Sequence, residues 1–319
     1  MPRPLHPFVR IVRAVFRPVH TVQALLLRVE MLWLVLHNRF GSSPVSTGKP
    51  GTVVSLTTHG KRIRSVHLTI ESIVRGVVLP SRLLLWIDDA TLFASLPAAL
   101  LRLKQRGLEI RLCKNYGPHT KYFPYLESQE PLAEALVTAD DDIIYPRRWL
   151  AGLVAAHEQF PHDVNCYRGR VVTVRDWKLA PYSEWTLCRS TEASYRTMAT
   201  GVSGVIYPEA FQRELKLAGT GFRDCCPKAD DVWLHVQAIR AGFPVRQIQP
   251  EALHFPLIPG TQDVSLWSEN WEEGADGNDR QSAVTYREGD LALLLLDSSD
   301  ARRNLRLNYA IHHRSANPC

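Results

Sequence analysis

From Phe8 to Leu36 apolar residues return at helical spacing: Val12, Val15 or Phe16, Val19, Val22, Leu25 or Leu26, Val29, Leu32 or Trp33, and Leu36 form one stripe. The stretch Gly41–Gly51, rich in Ser, Pro and Gly, reads as the linker that ends this helix. Beyond it, short apolar runs alternate with helical patterns. Strands are expected at Thr52–Thr57, Arg82–Ile87, Glu109–Cys113, Leu136–Ala139, Val205–Tyr207 and Val245–Ile248. Helices are expected at Ile63–Val74, Leu96–Arg106, Glu130–Leu136 and Pro146–Ala156, and from Val232 to a stop at Gly242. Strands separated by single helices predict right-handed crossovers and a largely parallel sheet, whose ligands bind at the carboxyl ends of the strands.

Composition adds little to that pattern, but the placement of charge adds much. The 319 residues are 45% hydrophobic and 22% charged, as in an ordinary globular protein, with a net charge of +6. Residues 1–40 hold six arginines (Arg3, Arg10, Arg13, Arg17, Arg28, Arg39) against Glu30, a net of +5. About +1 is left for the rest, which argues against a nucleic-acid footprint. The basic stripe therefore reads either as an amphipathic helix on an anionic membrane surface or as a helix packed on the protein's own core or a second subunit. Arg28 and Glu30 interrupt the apolar run, which disfavours both a spanning helix and a signal peptide. The six cysteines are scattered without a C-x-x-C pair, so a reducing, cytoplasmic setting is expected.

Three of the expected strand ends carry polar groups suited to a nucleotide: Thr57-Thr58-His59-Gly60-Lys61-Arg62, Asp88-Asp89, and Asp140-Asp141-Asp142. Adjacent carboxylates repel one another and need a compensating cation once removed from water. Alternate residues of an extended segment point the same way, so Asp140 and Asp142 can share one site. Hard oxygen ligands suit Mg²⁺ or Mn²⁺ and a diphosphate. The competing reading is a solvated loop that caps the following helix. Lys61, Arg62 and Lys121 are candidates for the phosphates, and Gly201 and Ser203 for close approach of a sugar. Asp230 and Asp231 open the helix after Ala229, as a catalytic carboxylate or simply as acids matched to its dipole.

Ala139-Asp140-Asp141-Asp142-Ile143-Ile144-Tyr145-Pro146 resembles the D-x-D motif of GT-A glycosyltransferases. Thr69-Ile70-Glu71-Ser72-Ile73, Leu79-Pro80 and Leu83–Asp88 are similar to the first helix and second strand of family 2-like bacterial enzymes, and Lys228–Leu234 to their late acidic motif. The matching stretch runs over residues 52–256, although Thr57–Arg62 departs from the usual opening loop. The resemblance implies a single Rossmann-like GT-A domain with a mixed, mostly parallel sheet over residues 51–260. An amphipathic helix and linker over 1–50 would precede it, and an extension over 261–319 would pack against it. It implies an enzyme moving a sugar from a nucleotide-diphosphate sugar to an acceptor hydroxyl, glycan or lipid-linked, with inversion expected. Asp88, or Asp89 beside it, would bind base or ribose. Asp140 and Asp141 would contact the donor, with Thr57 and Thr58 near the nucleotide. Asp142, with Asp140 and His254, would hold Mn²⁺ or Mg²⁺; a core histidine is the alternative for His254. Asp231, or Asp230, would be the general base. A sugar nucleotidyltransferase and a non-enzymatic, membrane-associated Ca²⁺-binding module are the rival readings. Farther on, Trp267, Trp271 and Glu272-Glu273 would line an acceptor groove or cap the sheet, and Asn278-Asp279 would cap a last helix.

Overall fold

The computed structural model describes residues 7–261 and 277–297, with side chains from Val22 onward. Helix α1 (Pro7–Phe40) is followed by β1 (Thr52–Thr58), α2 (Val66–Val74), β2 (Arg82–Ile87), α3 (Ala90–Ala94), α4 (Ala98–Gln105), β3 (Glu109–Leu112), α5 (Phe123–Ser128) and β4 (Ala135–Ala139). Then come α6 (Trp149–Gln159), β5 (Val164–Cys166), β6 (Gly169–Val171), β7 (Val174–Arg175), β8 (Lys178–Leu179), β9 (Thr186–Leu187), β10 (Thr197–Ala199) and β11 (Val205–Tyr207). The remaining elements are α7 (Glu209–Ala218), α8 (Phe222–Cys225), α9 (Asp230–Arg240), β12 (Val245–Gln247), α10 (Asn278–Thr285) and α11 (Glu288–Leu295).

Seven strands form one sheet in the order β12-β5-β11-β4-β1-β2-β3. All neighbours are parallel except β11, which runs antiparallel to both β4 and β5. This is an α/β fold with a mixed, mostly parallel sheet and an N-terminal helix; the pattern predicts the helix and a largely parallel sheet, and the resemblance implies the mixed one. Apolar alternation assigns the faces. Leu83, Leu85 and Ile87 of β2 join Val54, Leu56 and the buried sides of α2, α4 and α6. Leu84 and Trp86 point the other way, with Val53, into a core shared with α5, α7, α9 and α11. The chain runs outward from β1 to β2 and β3, then returns to place β4 on the other side of β1. The order therefore reverses between β1 and β4, where open α/β sheets leave a crevice.

Some local expectations are corrected. No helix spans Glu130–Leu136; the helix is α5, ending at Ser128, and an irregular segment leads to β4. Pro131 has no N–H to give a helix and disfavours the helical conformation at Glu130. Ile63 sits in a tight 3₁₀ turn (Gly60–Arg64) ahead of α2, and α6 begins at Trp149 rather than at Pro146. Asn278 is the first residue of α10 rather than its cap, which is Gly277, and α11 follows it. Both helices are tied to α9: Arg240 pairs with Asp290 at 2.8 Å, and His235 bonds the Tyr286 hydroxyl at 2.5 Å. Trp267, Trp271, Glu272 and Glu273 lie outside the described residues.

Candidate active site

At the β1/β4 crevice a cavity of about 1040 Å³ opens at the carboxyl ends of the strands. Its wall takes Thr57 from the end of β1 and Arg62 from beyond it, Asp88 and Asp89 after β2, Asp140–Asp142 after β4, and Asp230 and Asp231 from the start of α9. Lys121, Gly201 and His254 complete the set of sequence candidates that the fold brings together.

Within this set the acidic cluster is buried, not splayed into water: Asp141 is 4% exposed and Asp142 5%. Asp141 accepts from Thr58 Oγ1 at 2.7 Å and from Arg62 Nη1 at 2.9 Å, and Asp142 lies 3.3 Å from Arg62 Nη2. Burial pushes the Asp141 carboxyl up, and Arg62 and Thr58 pull it back. The Tyr145 hydroxyl accepts from the Asp140 N–H at 2.9 Å, and Thr69 Oγ1 donates to the Asp141 carbonyl at 3.0 Å. The loop after β4 is thereby fixed from α2 and from its own tyrosine. The compensating charge that three adjacent carboxylates demand is supplied here by side chains.

Lys121 supplies the other cation. It is 9% exposed, and its Nζ stands 3.1 Å from Asp140 Oδ1 and 3.1 Å from Asp230 Oδ2. The Asp230 contact is an ion pair without hydrogen-bond geometry at that oxygen. Burial opposes the ammonium charge, yet Asp140, Asp230 and Asp231 together hold the lysine pKa well above its ordinary value. Its neighbour His119 is locked between the Tyr122 hydroxyl and the Cys226 carbonyl, both at 2.8 Å, and burial drives its pKa down to about 4. The segment carrying Lys121 is thus held rigidly between β4 and α9.

Asp231 is half-buried at the cavity wall and accepts from the Gly201 N–H at 2.9 Å. Burial, then the adjacent Asp230 charge, pushes its pKa up to about 7 against the pull of Lys121 and the Gly201 amide. A carboxyl poised there can take a proton from an acceptor hydroxyl near neutral pH. Asp230 shares the lysine and is the more enclosed of the two. A Cβ at Gly201 would stand 3.1 Å from Lys121 Nζ and 3.3 Å from Asp231 Oδ1, so only glycine fits there without displacement.

Three candidates stand apart from the wall. Thr58 is fully buried against Asp141. Ser203 is fully buried and donates to the Leu253 carbonyl at 2.7 Å. Lys61 is exposed and does not line the cavity. Asp89 lines it, but its carboxylate caps α3 through the N–H groups of Thr91 and Leu92. Arg168, Arg170, Tyr182 and Lys228 also line the cavity, although none of them is a binding candidate from the sequence. Arg168 follows a strand, β5, as Asp88 and Asp140 follow theirs, and Arg170 lies in the short strand β6 just beyond it.

For a divalent metal the donor chemistry is suitable: carboxylates of Asp140 and Asp142, and a His254 imidazole whose pKa partial burial and Arg168 lower. As placed, however, no three such side chains are gathered to hold an ion among the described residues. Asp142 faces Arg62 and Asp140 faces Lys121, so an ion would have to displace those contacts.

No protein-family model matches the chain, and no curated protein matches its sequence. Among solved structures it is similar to GalNAc-T7 with UDP, GalNAc and Mn²⁺, at 13% identity and a TM-score of 0.41, covering 61% of this chain and 41% of that one. It is also similar to S. aureus TarS 1-349 in complex with UDP, at 13% identity and a TM-score of 0.39, covering 59% and 56%. A third is CMP:2-keto-3-deoxy-manno-octonic acid synthetase complexed with CTP, at 10% identity and a TM-score of 0.39, covering 62% and 88%. The chain therefore spans about half the length of the first two. All three likenesses are distant and concern architecture alone.

Proposed function

We propose that this chain is a glycosyltransferase that moves a sugar from a nucleotide-diphosphate sugar to the hydroxyl of a glycan or lipid-linked acceptor, with inversion. The observation that carries this reading is the meeting of Asp140–Asp142 and Asp231 across one cavity, with Lys121 between them. Sugar transfer needs positive charge beside the departing diphosphate and a base beside the incoming hydroxyl. Arg62, Lys121, Arg168, Arg170 and Lys228 would face the phosphates, and Asp88 the nucleoside. Asp231 would remove the acceptor proton.

Seven aspartates against five lysines and arginines line the cavity, so an entering diphosphate adds negative charge to a surplus of acid. That balance favours a Mn²⁺ or Mg²⁺ ion held by Asp140 and Asp142, with His254 beside them. Such an ion would supply Lewis-acid stabilisation of the leaving diphosphate. In this proposal residues 51–260 are the catalytic domain, carrying an N-terminal helix and a C-terminal extension. Its setting is the cytoplasm, where the described free cysteines would stay reduced.

A nucleotidyltransferase reading is weaker on one physical ground. A nucleotidyltransferase acting on a sugar phosphate uses an already ionised phosphate as nucleophile and needs no base, which leaves a carboxyl tuned to about 7 unexplained. The deciding experiment incubates the chain with UDP- and GDP-sugars, or with nucleoside triphosphates and sugar phosphates, with Mn²⁺. Slow release of UDP or GDP supports the proposal. Pyrophosphate release would replace it with the nucleotidyltransferase, and no turnover together with no nucleotide-induced rise in melting temperature would end it.

A further inference from the structure

Helix α1 has two apolar faces, and only one is used. At 100° per residue, Leu27, Met31 and Leu34 fall on one side of the helix. They pack with Leu68, Ile144 and Ile258 of the body. Asn38 on the same side bonds Glu71 at 3.0 Å. Opposite them, Val22, Leu25, Leu26, Val29, Leu32, Trp33, Leu36 and Phe40 gather within an arc of roughly 120°. All are exposed, from 46% at Trp33 to 78% at Phe40. This stripe runs for about 27 Å along the helix. A continuous apolar strip of that length is beyond the scattered surface hydrophobics of an ordinary monomer.

The charges on α1 choose the occupant. Arg28 and Arg39 border the stripe on one flank, both exposed. The one acid in residues 1–40, Glu30, is turned inward in an ion pair with Arg75. Those forty residues carry six arginines, so the segment offers no free carboxylate for a basic partner. A second copy laid antiparallel on the same stripe would bring arginines to arginines. Among the described residues, no helix is long and apolar enough to cross a membrane. We infer that the outer face of α1 lies on an anionic lipid surface, with the arginines at the phosphates and Trp33 at the headgroups.

The inner face of α1 sits one residue layer from the cavity. Ile258 donates its N–H to the Asp142 carbonyl at 2.7 Å, and Ile144 to the Pro256 carbonyl at 2.9 Å. His254 and Leu257 of that same segment line the cavity. Docking would therefore hold the site about 10 Å, one helix diameter, and a residue layer from the lipid, within reach of a lipid-linked acceptor; this last clause rests on the transferase reading, while the docking does not.

The test is flotation of the full chain with vesicles of phosphatidylcholine alone or with a quarter phosphatidylglycerol, in low and high salt, beside Leu25→Glu/Leu32→Glu. Both leucines are exposed, so the variant should keep the parent melting temperature. The chain should float with the anionic vesicles, less so at high salt, and the variant should bind at least about tenfold more weakly. Absence of flotation, or equal flotation of the variant, would overturn the inference. So would a dimer in sedimentation velocity that the variant abolishes without vesicles, which would assign the stripe to a second copy. None of these readouts depends on turnover, so they stand apart from the assay of activity.

Discussion

Replacing Lys121 by methionine removes the cation between the end of β4 and the start of α9 while keeping most of the side-chain volume. Two consequences follow from the geometry. First, Asp140 and Asp230 lose their shared partner, and the Asp230 side chain is only 10% exposed. Removing one member of a buried pair costs about 3–5 kcal/mol, because the other charge stays buried. Second, the lysine lowers the Asp231 pKa, and that pull vanishes. Nζ and Asp231 Oδ1 are at most about 6 Å apart, since a Cβ at Gly201 would be close to both. At that limiting separation and an effective dielectric of about 20 their attraction is about 3 kcal/mol, equivalent to roughly two pH units, which the solvent reaching half-buried Asp231 screens in part. Asp231 is faced as well by Asp230 and Asp140, which raise it, and by the Gly201 amide, which lowers it. A base works when deprotonated, so the acid limb of donor turnover should lie near pH 7 in the parent and between about 8 and 9 in the variant. Urea denaturation measures the first effect and a pH profile of nucleotide release the second. Should the variant fold too poorly to assay, Lys121→Met/Asp230→Asn removes the stranded charge and should recover most of the lost stability. A variant within about 1 kcal/mol of the parent, with an unmoved limb, would refute the reasoning.

Asp231→Asn should cut turnover at least about a hundredfold with little change in donor affinity, read by kcat against KM. It should also stabilise at high pH. The folded pKa of about 7 lies above the unfolded value near 3.9, so the parent loses stability as pH rises between those values. The asparagine variant does not, and its melting temperature should exceed the parent's at pH 8 but not at pH 4. Arg62→Gln should cost about 3 kcal/mol, since Asp141 and Asp142 lose their cation, and should enlarge the rise in melting temperature produced by Mn²⁺ alone. An unchanged metal response would count against an ion at those carboxylates. Gly204→Ala should destabilise by more than about 2 kcal/mol, because φ is +97° and its Cβ would lie 2.6 Å from Trp149 Nε1; a melting curve checks this.

Much of the site was legible in one dimension because strand ends mark it. An apolar run followed by acids, as in Leu136–Asp142, fixes both a strand and the edge where its polar residues must gather. Asp88 and Asp140 could be nominated that way, and Asp231 from its place at the start of a helix. The helix pattern of residues 8–36 was equally plain, and its two rival destinations are both instructive. One face of α1 does pack on the core, through Leu34, and the other stays bare, which a single stripe in the sequence could not separate.

Which charge answers which was decided by tertiary structure. Lys121 reads in sequence as a phosphate ligand, but folding sets it between carboxylates 19 and 109 residues away. Arg62 likewise closes on Asp141 across 79 residues. Thr58 and Ser203 looked available, yet their hydroxyls are used inside the protein, by Asp141 and by the Leu253 carbonyl. The physical reason is range. Periodicity and strand-end chemistry are local properties of the chain, whereas electrostatic compensation depends on distance and burial, which exist only once β1, β4 and α9 have been packed against one another.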